Sequence, residues 1–312
     1  MKNKKYRAFF HFSLLAVILY FVGKKIIQQG SGIHWDTIKI NYMFLILAVL
    51  SDILSKVFSG ILFGTLLSRM NSHLPYRITM SISWLSLLGK YIPGKIAVVG
   101  SAIYLLSRYK VRSEIAAVVP VLANGMVVVV CIFLSIPLLT SPHKSLWMNH
   151  INQSLLFLIL IIGIIMLHPK IFFWMTNELL RRMKRHFIEN EMTFKRMLIP
   201  YGVVLIQCVF SGMTTWYMIK MLTMISTSAL PMVISISVLA GTLGFLAFFS
   251  PAGIGVREGI YLLFLSPLIG SEMAALTVVC LRFLQTIIDV SMAMTGIGLL
   301  RLSFLGLETK DV

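Results

Sequence analysis

The stretch Leu230–Leu268 reads LPMVISISVLAGTLGFLAFFSPAGIGVREGIYLLFLSPL. It is an apolar run about twice the ~20 residues that cross the hydrocarbon core of a bilayer. Its centre is broken by Ser250-Pro251-Ala252-Gly253-Ile254-Gly255-Val256-Arg257-Glu258-Gly259. Proline removes a helical N–H and glycine frees the backbone, so one helix does not run through this point. A break in hydrocarbon is tolerated only where protein or a wet cavity covers it. The block is therefore a re-entrant helical hairpin or a spanning helix with an unwound centre. Ile78–Leu106 repeats the pattern around Gly89-Lys90-Tyr91-Ile92-Pro93-Gly94-Lys95.

Composition places both blocks in a membrane. Of 312 residues, 58% are hydrophobic and only 12% charged, about half the charged share of a soluble domain. Mean hydropathy is +0.88. Further apolar runs cover Ala8–Gly23, Tyr42–Leu67, Glu114–Leu139, Leu155–His168, Leu198–Leu222 and Met273–Leu300. The first follows Lys2, Lys4, Lys5 and Arg7 but lacks a small-residue cleavage site, so it reads as an uncleaved helix.

The net charge of +17 would suggest nucleic acid in a soluble protein. Here the basic residues sit between apolar runs, where they set topology and meet anionic lipid, so no nucleic-acid partner is expected. Cys131, Cys208 and Cys280 lie inside apolar runs without metal-site or disulfide spacing, and the seven histidines are scattered. No metal or other cofactor is expected.

Charge counting favours hairpins. With a cytoplasmic N-terminus and both broken blocks re-entering, Arg69, Arg77, Arg108, Lys110, Arg112, Lys170, Arg181–Arg185, Lys195, Arg196, Arg301 and Lys310 join the basic N-terminus inside. Outside remain only Lys24, Lys25, Lys39, Lys144 and Lys220. The expected fold is an all-α polytopic membrane protein with six spanning helices and two re-entrant hairpins in an inverted repeat. Residues 1–41 hold the first helix and an outer loop. Residues 42–139 form the first repeat, broken at 89–95. Residues 140–197 hold a linking helix and a basic segment, which is either an amphipathic helix on the inner leaflet or a plain loop. Residues 198–300 form the second repeat, broken at 250–259, and 301–312 a cytoplasmic tail. Interrupted helices in matching places of inverted repeats point to a transporter-like site where the breaks meet.

Ionisable residues inside apolar runs are costly, about 2.5–3.5 kcal/mol each near a helix centre, and mark sites or pairs. They are Asp52, Lys56, Lys90, Lys95, Arg257, Glu258, Arg282 and Asp289. Asp52 and Lys56 are four apart on one helix face, and Arg282 and Asp289 seven apart on one stripe, so each couple reads as an intramembrane pair. Lys95 follows Pro93-Gly94 and Arg257 follows Gly253-Ile254-Gly255, each at the start of a half-helix. Free N–H groups, a positive dipole end and a cation together make an anion site, and a lipid phosphate is the anion at hand. The alternative is that the glycines allow tight packing and the cations snorkel. Glu258 reads as a proton site, a partner for a cationic headgroup or a balance for the nearby charge. Gly89-x-x-x-x-Gly94-Lys95 is not a nucleotide P-loop, because Ile96 stands where Ser or Thr would hold magnesium.

The two breaks, Leu88–Lys95 and Ser250–Gly259, resemble the paired signatures of the lysylphosphatidylglycerol synthase transmembrane-region family, also called flippase-like. The resemblance covers roughly Tyr42 to Leu300. It implies a multi-helix membrane fold associated with moving lipids between leaflets, among them aminoacylated phosphatidylglycerol, hopanoids or polyprenyl-linked sugars. A soluble aminoacyl-transferase domain follows in the larger synthases. Here the sequence stops at Val312, so lysyl transfer is not expected to carry over.

The expected function is thus translocation of a phospholipid or lipid-linked precursor in a bacterial cytoplasmic (inner) membrane, both termini inside, with no catalytic residue. Substrate binding falls to Lys90, Lys95, Arg257, Glu258 and Arg282. Gly89, Pro93, Gly94, Pro251, Gly253 and Gly255 shape the breaks. The expected partners are anionic phospholipid or a polyprenyl-linked precursor, and a neighbouring glycosyltransferase or lipid-modifying enzyme of the cell envelope. The rival functions are a transferase on a lipid-linked sugar and an accessory subunit of an envelope enzyme. The hairpin topology predicts that position 94 is labelled by an impermeant thiol reagent from the cytoplasmic side, and position 253 from the outer side.

Overall fold

The computed structural model describes residues 40–91, 96–140, 194–247 and 250–308, together with Trp174, Asn177, Glu178 and Arg181. The expected helices at Ala8–Gly23 and Leu155–His168, most of the basic segment, and the break residues Pro93, Gly94 and Lys95 lie outside the described residues.

All regular structure among the described residues is helical. Helix α1 spans Tyr42–Arg69, α2 Tyr76–Leu87, α3 Ile96–Ser107, α4 Ser113–Leu134, α5 Ile136–Thr140, α6 Phe194–Leu222, α7 Leu230–Leu246, α8 Val256–Ile269 and α9 Ser271–Glu308. The two breaks fall between α2 and α3 and between α7 and α8. Each opens with a short 3₁₀ turn, Leu88–Tyr91 in the first and Pro251–Gly253 in the second.

Among the described residues, six segments are long and apolar enough to cross a membrane: Tyr42–Arg69, Ser113–Leu138, Lys195–Leu222, Thr227–Leu246, Pro251–Ile269 and Ser271–Arg301. Two of these are the arms of the second broken block, at 20 and 19 residues. By length each reaches across, which a re-entrant arm has no need to do. The first block differs. Its arms α2 and α3 have 12 residues each, about 18 Å at 1.5 Å per residue, short of the ~30 Å core. The difference follows from block length, because both breaks are central and Ile78–Leu106 is shorter than Leu230–Leu268.

Two apolar cores hold the helices. One joins Leu62 and Leu66 of α1, Ile82 of α2, Leu106 of α3, Val119 and Leu122 of α4 and Val204 of α6. The other joins Ile219 of α6, Val233 and Ile236 of α7, Leu265 of α8 and Val278 and Leu281 of α9. Helices α1 and α6 pack along each other, and α9 lies against α2. Polar side chains fasten these contacts: Trp84 Nε1 donates to the Lys56 carbonyl at 2.9 Å and Ser55 Oγ to the Gln207 carbonyl at 3.2 Å. Ser237 Oγ lies 3.1 Å from the Tyr261 hydroxyl and accepts from Thr215 Oγ1 at 2.9 Å. In hydrocarbon, where apolar burial gives helices little net attraction, packing and such bonds do the joining.

The breaks themselves depend on two glycines. A Cβ on Gly89 would stand 2.5 Å from the Val98 nitrogen and 2.6 Å from the Ala97 carbonyl carbon, so the start of α3 crosses directly over the first turn. Gly253 has φ +70°, and a Cβ there would meet the Gly244 carbonyl oxygen at 2.7 Å. Its neighbour Ala252 also sits in the left-handed region at φ 50°, a conformation that costs a non-glycine residue energy and persists only where the surroundings hold it. The two broken turns touch each other.

Gly89→Ala and Gly253→Ala are expected to destabilise the protein by about 1–3 kcal/mol, the usual cost of forced overpacking. Gly259→Ala, which meets open space, should be near neutral. Thermal unfolding of the detergent-solubilised protein separates the three.

Candidate functional site

The charged residues singled out in the sequence converge where the broken turns meet. Helix α1 presents Asp52, Ser55, Lys56 and Ser59 on one face, and α9 presents Arg282, Gln285 and Asp289 on one stripe, as helical spacing dictates. The first broken turn adds Lys90 and Tyr91, and the start of α8 adds Arg257 and Glu258.

Asp289 is the centre of one cluster. Lys56 Nζ lies 2.8 Å from its Oδ1 and Lys90 Nζ 2.5 Å from its Oδ2, while the Tyr91 hydroxyl donates to Oδ2 at 2.7 Å. The carboxylate is 2% exposed. Two hydrogen-bond donors on Oδ2 and the Lys56 ammonium in ion-pair contact with Oδ1 compensate the loss of hydration that burial imposes on it. Lys90 also sits over the Tyr91 ring, 5.3 Å from its centroid, a cation–π contact that adds to the same grip.

Glu258 is the centre of the other. It closes the start of α8 as the N3 residue does in a capping box: its Oε2 accepts from the N–H of the N-cap, Gly255, at 2.6 Å, where φ is 90°. Its Oε1 accepts from Arg282 Nε, and Arg282 Nη2 reaches the Ala252 carbonyl at 3.4 Å. Both oxygens are thus engaged inside the protein. In this arrangement Glu258 balances charge. The N–H of Gly255 is likewise taken.

The pairing differs from that read off the helix faces. Lys56 turns its ammonium to Asp289 rather than to Asp52, and Arg282 goes to Glu258 rather than to Asp289. Sequence spacing compares residues only within one helix. The winning partners come from helices brought alongside by the fold, where contact is closer.

Arg257 stands apart. Its Nη2 donates to the neutral amide oxygen of Gln285 at 3.1 Å, and its Nε has no hydrogen-bond partner. Among the described residues no carboxylate lies within ion-pair distance of it. The local charges are Lys56, Lys90, Arg257 and Arg282 against Asp52, Glu258 and Asp289; Asp289 holds both lysines and Glu258 holds Arg282, so Arg257 and Asp52 are left without an ion-pair partner among the described residues.

Arg257, Lys56, Lys90 and Asp52 line a cavity of about 200 Å³. Its walls also carry Asn124 of α4, Gln207 and Ser211 of α6, Ser237 and Thr242 of α7 and Gln285 of α9. These neutral polar residues were not singled out in the sequence. A lone Asn or Gln in an apolar helix gives weak signal, although Gln285 shares the stripe of Arg282 and Asp289. Lys95, also read as a binding residue, lies outside the described residues.

The broken turns and ionisable side chains thus gather around a polar cavity inside a polytopic helical membrane protein. The chain belongs to the family described as the lysylphosphatidylglycerol synthase TM region, whose family model matches residues 8–292. No curated protein matches it.

Asp289→Asn should destabilise the protein by about 1.5–3 kcal/mol, because it removes the charged acceptor that two partly buried ammonium groups share. The triple change Lys56→Met, Lys90→Met, Asp289→Leu should cost less than Asp289→Asn alone. Unfolding midpoints in a mixed-detergent titration compare them.

Proposed function

We propose that this protein moves a phospholipid or lipid-linked precursor between the leaflets of a bacterial cytoplasmic membrane, with both termini inside, by sheltering the anionic headgroup at Arg257. The observation that carries this reading is the uncompensated guanidinium in a polar cavity at the touching breaks. A guanidinium fork suits phosphate, which it binds through two parallel charge-assisted hydrogen bonds. Family membership supports a lipid-related role.

The size of the cavity fits the proposal. At about 200 Å³ it is smaller than the ~300–1,000 Å³ of pockets that enclose whole drug-sized ligands. It has room for a headgroup, while the acyl or polyprenyl chains stay in lipid. Lowering the barrier for the polar part is all that translocation requires, since that part bears the cost of crossing hydrocarbon.

The arms support a meeting point inside the bilayer. On our reading the first broken block enters from the cytoplasm and the second from outside, as inverted copies. The ~18 Å arms of the first and the ~26 Å of α7 in the second together exceed the ~30 Å core, so their tips overlap within it. Lys90 and Lys56 border the same cavity and add positive potential, while Glu258 and Arg282 keep the start of α8 in place. No covalent step is assigned to any residue.

The test is a leaflet-resolved assay in proteoliposomes, with fluorescent anionic phospholipid as probe. Arg257→Ala should slow lipid exchange roughly tenfold or more, the loss expected on removing a charge-assisted hydrogen bond of about 1.5–3 kcal/mol. Arg257→Lys should retain part of the rate. Equal rates for wild type and Arg257→Ala would sink the site.

A further inference from the structure

We propose that Asp52 is the anionic centre of a site for a monovalent cation, a proton or a sodium ion, and that filling this site fixes Lys56 on Asp289. The site stands on geometry of its own; only its use in coupling rests on the lipid-transport reading.

Asp52 is 2% exposed, and its Oδ2 has no hydrogen-bond partner. It borders the cavity. A bare buried carboxylate is among the costliest groups a protein can hold, and the cost is removed by a bound cation or proton. A second acceptor in the same cavity wall is equally idle: Gln207 Oε1, on α6, which packs along α1, has no partner either. Two partnerless oxygens on adjacent helices ask for a positive, oxygen-coordinated guest.

The charged groups around Asp52 are Lys56, one turn along its own helix, Lys90 from the first broken turn, Asp289 from α9 and Arg257 from α8. Helix α6 contributes Gln207 and Cys208 to the cavity and α4 contributes Asn124, none of them charged side chains at neutral pH. Of the neighbouring cations, Lys56 is the one within helical reach, at i+4. It is spent on Asp289, which already holds Lys90 and the Tyr91 hydroxyl.

That imbalance makes a two-position arrangement. With the cation bound, Asp52 is neutralised and Lys56 joins α1 to α9 through Asp289. With the cation gone, the bare Asp52 carboxylate draws Lys56 back along α1. Asp289 can release it, since two donors remain. The direct link from α1 to α9 then opens beside the headgroup cavity while the first broken turn stays on Asp289, and cation occupancy becomes coupled to the shape of that cavity.

The experiment uses the full chain in lipid nanodiscs and infrared difference spectra of the carboxyl region. Sodium chloride is exchanged for choline chloride at fixed pH, and in a second arm the pH is lowered at fixed sodium. Wild type should give a carboxyl difference band in at least one arm. Asp52→Asn should lose it, while Asp52→Glu and the remote Glu114→Gln should keep it. A response to sodium alone identifies a sodium site, and a response to acid alone a proton site. No band in either arm, or a band unchanged in Asp52→Asn, overturns the proposal.

The switch is read separately by a double-mutant cycle of Lys56→Met and Asp289→Leu on the unfolding midpoint. Coupling should be present with the effective cation and fall when it is withdrawn; equal coupling in both conditions overturns it. A cation band without lipid exchange in wild type would leave this site standing and sink the transport reading. Lipid exchange without a cation band would do the reverse.

Discussion

Asp289 is a carboxylate buried in the middle of a membrane helix, and the arrangement of the whole molecule follows from what it takes to keep it there. A carboxylate in hydrocarbon needs donors on every side. It obtains Lys56 from α1 and Lys90 and Tyr91 from the first broken turn. These three come from parts of the chain roughly two hundred residues away, so satisfying one charge draws the first half of the molecule against α9. The broken turn is held within reach of α9 by the same contacts. Bilayers tolerate such a turn only under cover, and α9 supplies that cover as it packs on α2.

The second broken turn is secured differently. Glu258 caps the start of α8 and anchors Arg282, whose guanidinium reaches the carbonyl of the left-handed Ala252. Here the carboxylate holds the turn from within. With Asp289 and Glu258 committed to structure, two charges are left without an ion-pair partner among the described residues, Asp52 and Arg257. Arg257 is left facing an amide and a cavity, its stem lying over Gly244, where a Cβ would stand 2.2 Å from the Arg257 Cγ. A glycine at 244 is thus what gives this arginine room. The excess positive charge that lends the site an affinity for anions is a residue of bookkeeping among neighbours, and no single motif creates it.

Motif reading and helical spacing went some distance. The class of protein, the positions of both breaks and the candidate side chains Lys90, Arg257, Glu258, Arg282, Asp52, Lys56 and Asp289 were legible because each violates a strong rule, namely that charges, prolines and glycines are expensive inside apolar helices. The partners of those charges were not legible. Spacing along α1 offered Asp52 to Lys56, and spacing along α9 offered Arg282 to Asp289, yet both couples gave way to neighbours from other helices. Asn124 and Gln207 escaped notice for the opposite reason. A single amide in an apolar helix breaks no strong rule, and its part in a cavity wall depends on which way its helix is turned.

Sequence by itself determined that this chain is a helical membrane protein with two interrupted helices carrying cations, because hydropathy and backbone chemistry act residue by residue and need no knowledge of the fold. Tertiary structure alone decided that the two interruptions touch, that Asp289 and Glu258 divide the cations between them, and that Arg257 is the one left over. Those outcomes depend on distances between residues far apart in the chain. Electrostatic energy in a low-dielectric interior falls with separation in space, and separation in sequence does not measure it.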